Sequence, residues 1–354
     1  MDIQAIIAEG KKTKLVSDID FEKANLVLED LSDIRFERVN FGNCNMANVN
    51  FSDSTFSKVN FNSTFLNAAK LDNGFFEMCD FTNAIMQNSS LAGASFSLCN
   101  FSSADLDLVS GKGTSFSECD WTKTKLVGAI LQKSVWSKMK IHATDFTNAD
   151  FYRLIADGNV FQNSVFQNTN LTKAQFYDAK LVAQKFPNNK LVKAMFIRCN
   201  LEGADFSNLD LTQVSFNKAN IKQVKFTNCS GEYTSFIDAK AVGTSFDGSK
   251  FNMSNFSQSL LTVSSWVNAE ITKSMFVDSK LDGANFSGSS LDYCDFSNAS
   301  LLHTNFNKAT FYYTNIHAVK NSNFNGALNL ATVFKTNAKL LEAENWLPLK
   351  ELPK

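Results

Sequence analysis

Proline is almost missing from this chain, with three in 354 residues, so little interrupts regular structure. The 15 glycines are too few and too scattered to form a flexible linker. Histidine is equally scarce: His142, His303 and His317 are the whole supply, and no pair has metal-ligand spacing. No run of 18 apolar residues exists, which excludes a membrane-spanning helix. The opening segment Met1 to Gly10 has neither a basic start nor a long apolar stretch, which argues against a cleaved secretory signal. Secretion without a cleaved signal stays open. There is no glycine-rich phosphate loop, no nucleophile elbow and no recognisable carboxylate pair. These absences point away from an enzyme, and they give no reason to expect a metal, a cofactor or a small-molecule substrate.

A net charge of −1 argues against a general nucleic-acid binder. The charge is unevenly spread, however. Residues 1–110 carry 8 Lys/Arg and 15 Asp/Glu, a net −7, whereas residues 111–200 carry 13 and 6, a net +7. An acidic N-terminal part is followed by a basic waist.

What the chain has in excess is phenylalanine, 34 residues against 4 Trp and 6 Tyr. The phenylalanines keep step with one another. From Phe21 to Ile316 nearly every fifth residue is large and apolar, in one unbroken phase: Phe21, Leu26, Leu31, Phe36, Phe41, Met46, and so on to Phe306 and Phe311. Only Phe65, Phe75, Phe324 and Phe334 lie off it. Two residues before each large one sits a small or β-branched residue, such as Ala24, Val39, Cys44, Ala94 or Ser254. The other positions are polar.

A period of five fits neither a helix nor a flat strand. It fits a chain that turns a corner every five residues, with four corners closing a square coil. The large residue points inward and the small one fits beside it. The position two after the large residue is often Asn or Gly, as in Asn148, Asn168, Asn188, Asn208, Asn228 and Gly248. Both residues tolerate the positive φ that a type II corner requires.

The stretches Ala24-Asn25-Leu26, Ala104-Asp105-Leu106, Ala204-Asp205-Phe206 and Ala284-Asn285-Phe286 resemble the A(D/N)LXX consensus of the pentapeptide-repeat family. The resemblance implies an all-β fold, a right-handed quadrilateral parallel β-helix with short terminal capping helices. Boundaries follow from the phase. Residues 1–16 form an N-terminal cap, with a helix over Asp2 to Ala8. Residues 17–320 form about 15 coils, stacked about 4.8 Å apart. Residues 321–354 form an irregular last coil, in which the phase slips to Phe324 and Phe334, and a helical cap from Asn337 to Trp346 ahead of Pro348.

The seven cysteines, Cys44, Cys79, Cys99, Cys119, Cys199, Cys229 and Cys294, all fall on the small inward position and read as packing residues. An odd number suits a reducing compartment. The pattern fails in places. Gly111, Ala156, Gly231 and Ala241 replace the large residue, with Leu154 placed to restore bulk beside Ala156. Gln184 and Asn189 occupy small positions around Pro187, and buried amides need partners, so a local distortion is expected there.

Three surface features stand out. Lys133, Arg153, Lys173 and Lys193 stack in one column, with Lys112 and Lys190 on the same face; adjacent like charges repel, and nothing in the fold demands them. That column runs on to Tyr233, Tyr293 and Tyr313, flanked by Tyr152 and Tyr312, and tyrosine is enriched at interfaces. A neighbouring face presents Val135, Ile155, Met195, Ile197, Ile237, Met275 and Val277 at outward positions, a second candidate contact.

The leading expectation is a non-catalytic rigid scaffold that binds a protein partner through these faces, as a monomer or as a dimer through the terminal helices. The family resemblance implies a bacterial, cytoplasmic protein. It also carries two alternatives. One is a DNA-mimicking binder of type II topoisomerase (gyrase) giving quinolone resistance, which needs an acidic surface that the basic waist interrupts. The other is a secreted effector acting on a host protein.

Overall fold

The computed structural model describes residues 2–320 and 322–345, and the chain divides into two compact units, Met1–Asp205 and Phe206–Lys354. In each unit the chain winds as a right-handed quadrilateral parallel β-helix. Residues 20 apart pair in parallel, as Leu15 with Arg35 and Ser17 with Glu37 in the first unit. Ser215 with Ser235 and Asn285 with Asn305 do the same in the second.

Most corners close on themselves, the exceptions being those that follow the three-residue strands, such as Phe36 to Val39 and Phe56 to Val59. The amide of the small residue donates to the carbonyl of the large residue three before it, as Ala24 does to Phe21 at 2.8 Å and Ala284 to Leu281 at 2.9 Å. The position between them is left-handed whatever its side chain: Asn43 has φ 58°, Leu28 64°, Lys133 57° and Tyr293 61°. Asn suits it because its short amide bonds locally and to its neighbours in the column, as Asn168 Nδ2 does to Asn148 Oδ1 at 3.0 Å.

Inside, the large residues form columns of stacked rings. Phe56 lies 4.4 Å from Phe76 with ring planes 2° apart, and Phe236 lies 4.7 Å from Phe256. Edge-to-face contacts link these columns across the square, as between Phe226 and Phe236 at 5.5 Å. Each fully buried ring contributes about 2–3 kcal/mol of apolar burial. Phe65 and Phe75, the off-phase rings, stand exposed at 47% and 45%.

One face of the first unit is regular enough to form a ten-stranded parallel sheet of three-residue strands, from Leu15–Ser17 to Met195–Ile197. Lys140–His142 and Val160–Gln162 pair on another face. The second unit makes the same register through single bridges.

Helix α1 spans Ile3–Thr13, beyond the expected end at Ala8. Asp2 caps it, accepting from the amides of Gln4 and Ala5 at 3.1 and 3.2 Å. Gly10 lies inside the helix, and its missing Cβ leaves room for Val16 to pack against it. The helix ends at Lys14, with φ 59°. Helix α2 spans Ala338–Glu344 and is capped by Asn337; Trp346 and Pro348 lie outside the described residues.

Two details of the last coil differ from expectation. Phe324 does join the ring column, 5.4 Å from Phe306. Phe334, in contrast, pairs with Asn315, an outward position, and is 56% exposed. His317 is the reverse case, an outward position that is buried. Its Nδ1 accepts from the Asn337 amide at 3.1 Å, so its Nε2–H donates to Glu344 Oε2 at 3.0 Å. The α2 segment covers it.

Candidate functional site

The column of cations is the first candidate. Lys133, Arg153, Lys173 and Lys193 each follow an inward residue by two (Leu131, Phe151, Leu171 and Leu191), so the left-handed corner sets them one above another, with φ between 57° and 63°. Long β-carbon-bearing residues are disfavoured at such corners. Backbone preference therefore does not explain four in a row. Together with Ile155 and Gln175 they line a shallow groove of about 480 Å³. Tyr152 lies between two of them, its ring 5.7 Å from the Arg153 guanidinium and 5.6 Å from Lys173 Nζ. Lys173 Nζ also reaches the Tyr152 hydroxyl at 3.4 Å.

No carboxylate compensates this column: among the described residues none of the four forms an ion pair. Other cations of the same unit do. Arg198 grips Asp178 through two bonds of 2.9 and 2.7 Å, holding its carboxyl below the usual range. Arg38 does the same to Asp18. The groove is thus a strip of like charge with its counter-charge missing.

Of the remaining sequence candidates, one lies at this groove. Ile155 sits in it, 39% exposed. Ile197 pairs with Tyr177 in the sheet and is half-buried rather than exposed. Tyr233, Ile237, Tyr293 and Tyr313 belong to the second unit. There Ile237 is half-buried, and Tyr233 is 54% exposed. Tyr293, Tyr312 and Tyr313 form an exposed cluster with ring separations of 4.5 to 5.7 Å. Gln175, which lines the groove, drew no notice in the sequence, because a glutamine at an outward position carries no signal.

The cysteines are inward and fully buried, and their thiols donate to carbonyls of the coil before, as Cys44 Sγ to Phe21 O at 2.9 Å. Burial pushes the Cys44 thiol up to about 11 and those of Cys199 and Cys294 up to about 12. In the stacked trio, burial raises Cys99, and the Cys99 thiol together with burial raises Cys119. Such thiols are poor nucleophiles. Among the described residues no three His, Cys, Asp or Glu side chains come together as metal ligands would, and no helix is long and apolar enough to cross a membrane.

With coil geometry, corners and ring columns in place, the comparison with known families is direct. The description "Pentapeptide repeats (8 copies)" matches residues 34–73, 76–110, 144–182, 279–317 and 289–327, and "Pentapeptide repeat region" matches 184–256 and 204–286. Together these span well over half of the chain, which belongs to the pentapeptide-repeat family. No curated protein matches it. Among solved structures, a trypsin-treated form of QnrB1, a plasmid-mediated fluoroquinolone resistance protein, is 14% identical and covers 65% of this chain and 88% of its own, with a TM-score of 0.22. HetL, a pentapeptide-repeat protein involved in heterocyst differentiation regulation from the cyanobacterium Nostoc, is 18% identical and covers 70% and 87%, with a TM-score of 0.21. The A-module of the mannuronan C-5 epimerase AlgE4 from Azotobacter vinelandii is 8% identical over 92% and 94%, with a TM-score of 0.28. Likenesses this loose carry no function over.

Proposed function

We propose that this protein is a non-catalytic scaffold that docks an acidic stretch of a protein partner in the groove of Lys133, Arg153, Lys173 and Lys193. The observation that carries this reading is the uncompensated cation column, set on a ladder that fixes its spacing. A ladder holds charged heads at little conformational cost, and an acidic partner relieves their mutual repulsion on binding. Tyr152 and Ile155 supply the apolar contact that a purely electrostatic strip would lack. A DNA-mimicking surface finds less support. Three of the acidic residues of the first coils are paired with cations, Asp33 with Lys14 at 3.0 Å, Asp18 with Arg38 at 2.6 Å and Glu29 with Lys11 at 3.9 Å.

The test is a quadruple reversal of Lys133, Arg153, Lys173 and Lys193 to Glu, compared with the native chain in affinity capture at low and moderate salt. The reversed column keeps the same spacing and a similar self-repulsion, so thermal stability changes by no more than about 0.5 kcal/mol per site. Salt-sensitive partners of the native chain are lost. If the same proteins are captured by both forms, the groove is not the docking surface.

A further inference from the structure

The ladder joining successive coils opens at one place in the first unit. Just before it, Phe146 donates to the Val165 carbonyl at 2.8 Å, and Val165 donates back to Thr144 at 2.9 Å. The rungs that should follow, Phe166 to Lys185 and Lys185 to Ser164, are not made, nor is the one from Asn163 to Val182. Pairing resumes on either side, from Lys180 to Asn159 at 2.9 Å and from Asn168 to Pro187 at 3.0 Å. Gln184 holds the parting open. It occupies the small inward position, and its Nε2 donates to Ser164 O at 2.6 Å and Lys185 O at 3.3 Å, the carbonyls that the first two of these three rungs would have used. The rings below feel it: Phe166 and Phe186 are tilted by 40° at 5.5 Å, where regular neighbours stack flat.

The Phe166 and Lys185 amides are therefore left as donors without carbonyls. Both residues line a cavity of about 320 Å³ walled by Val165, Phe166, Val182 and Pro187, with Ser164, Gln184 and Lys185 as polar neighbours. Its size lies within the range of small-ligand pockets. Val165 and Val182 stand exposed at its mouth, at 45% and 50%.

We infer that this parting binds a small monocarboxylate with an apolar body. The carboxylate accepts from the Phe166 and Lys185 amides beside the Lys185 ammonium, and the body lies against Phe166, Val182 and Pro187. Unpaired amide donors flanked by a cation favour an anionic acceptor over a neutral one. An inserted peptide strand is served less well, because its own N–H groups would find the Ser164 and Lys185 carbonyls taken. A bare inorganic anion would leave the apolar walls wet. The site is independent of the cation groove.

Calorimetric titration of the full chain tests this with phenylacetate, phenylacetamide and inorganic phosphate as probes. Phenylacetate binds one saturable site. Phenylacetamide, which keeps the ring and loses the charge, binds about tenfold weaker. Phosphate, which keeps charge and loses the ring, does not saturate. Gln184→Ala restores a small inward residue, closes the ladder, raises the melting temperature and abolishes phenylacetate binding. Lys185→Met, at an exposed side chain, leaves the fold intact and weakens phenylacetate about tenfold. The inference is overturned by failure of phenylacetate to saturate the native chain, by equal affinity for acid and amide, or by unchanged binding in either variant.

Discussion

Asn159 and Asn189 pose the same problem in the same unit, and the chain solves it only once. Both put an amide where the repeat wants a small residue. At Asn159 the preceding large position has shrunk to Ala156, with Leu154 restoring part of the bulk, and all three are fully buried. In the space so made, Asn159 Oδ1 accepts from the Met139 amide at 2.7 Å and Nδ2 donates to Trp136 O at 3.1 Å. The ladder beside it is intact. At Asn189 the large residue is Phe186, Pro187 follows it, and both amide atoms of Asn189 are buried without a partner. The ladder beside it still closes, from Lys190 to Thr169 at 3.1 Å, and that coil parts one corner earlier, at Gln184. An amide at the small position is tolerated when the large neighbour gives way.

The converse error is milder. At Gly111 the space of the missing side chain is filled by Thr114 Oγ1 and Leu131 Cδ2, which would lie 2.5 and 2.7 Å from a Cβ. At Gly231 the Phe251 ring and Thr234 fill it. Neighbouring coils lean into a vacancy but cannot retreat from an intruder, as expected of a close-packed interior.

Breaking the compensated coil should have the largest effect. Leu154→Ala removes bulk from a layer already short of it, and should cost about 2–5 kcal/mol in chemical denaturation. Asn159→Ala should cost about 1–3 kcal/mol, because the Met139 amide is left buried and unpaired. Asn189→Ala should change stability in the opposite direction, by about 1 kcal/mol, because it removes two unpaired atoms and strands no partner. Opposite signs at two equivalent asparagines would be hard to obtain from composition alone. Equal signs would mean that the interior does not distinguish them.

The smallest effect lies on the surface. Burial raises the Asp120 carboxyl, but Lys140 Nζ at 2.6 Å and the Thr122 hydroxyl and amide outweigh it, leaving its pKa below the ordinary value. A lowered folded pKa means stability that is present above the normal carboxylate range and lost as pH falls through the lowered value. Asp120→Asn should therefore cost less than about 1 kcal/mol at neutral pH, and the difference should vanish in strong acid. Melting curves at the two pH values check it.

Much of this was readable in the residues. The five-residue phase placed the ring columns, the small inward cysteines and the left-handed corners, because the repeat is local and each coil restates it. Gln184, Asn189 and Pro187 marked the irregular coil for the same reason. What could not be read depends on neighbours outside the repeat. His317 is buried by a helix that the repeat does not specify, and Phe334 turns outward because the last coil is shorter and meets Asn315. The cation column was visible, but its lack of carboxylates was not, since pairing depends on where long side chains reach.

Amide hydrogen exchange along the native chain tests the central claim most directly, that the coils of the first unit are continuous except where an intruding amide parts them. Slow exchange is expected of the ladder amides around Asn159, and, among the ladder amides of these two coils, fast exchange only at Asn163, Phe166 and Lys185. Uniform protection across both coils, or equally fast exchange around Asn159, would contradict it.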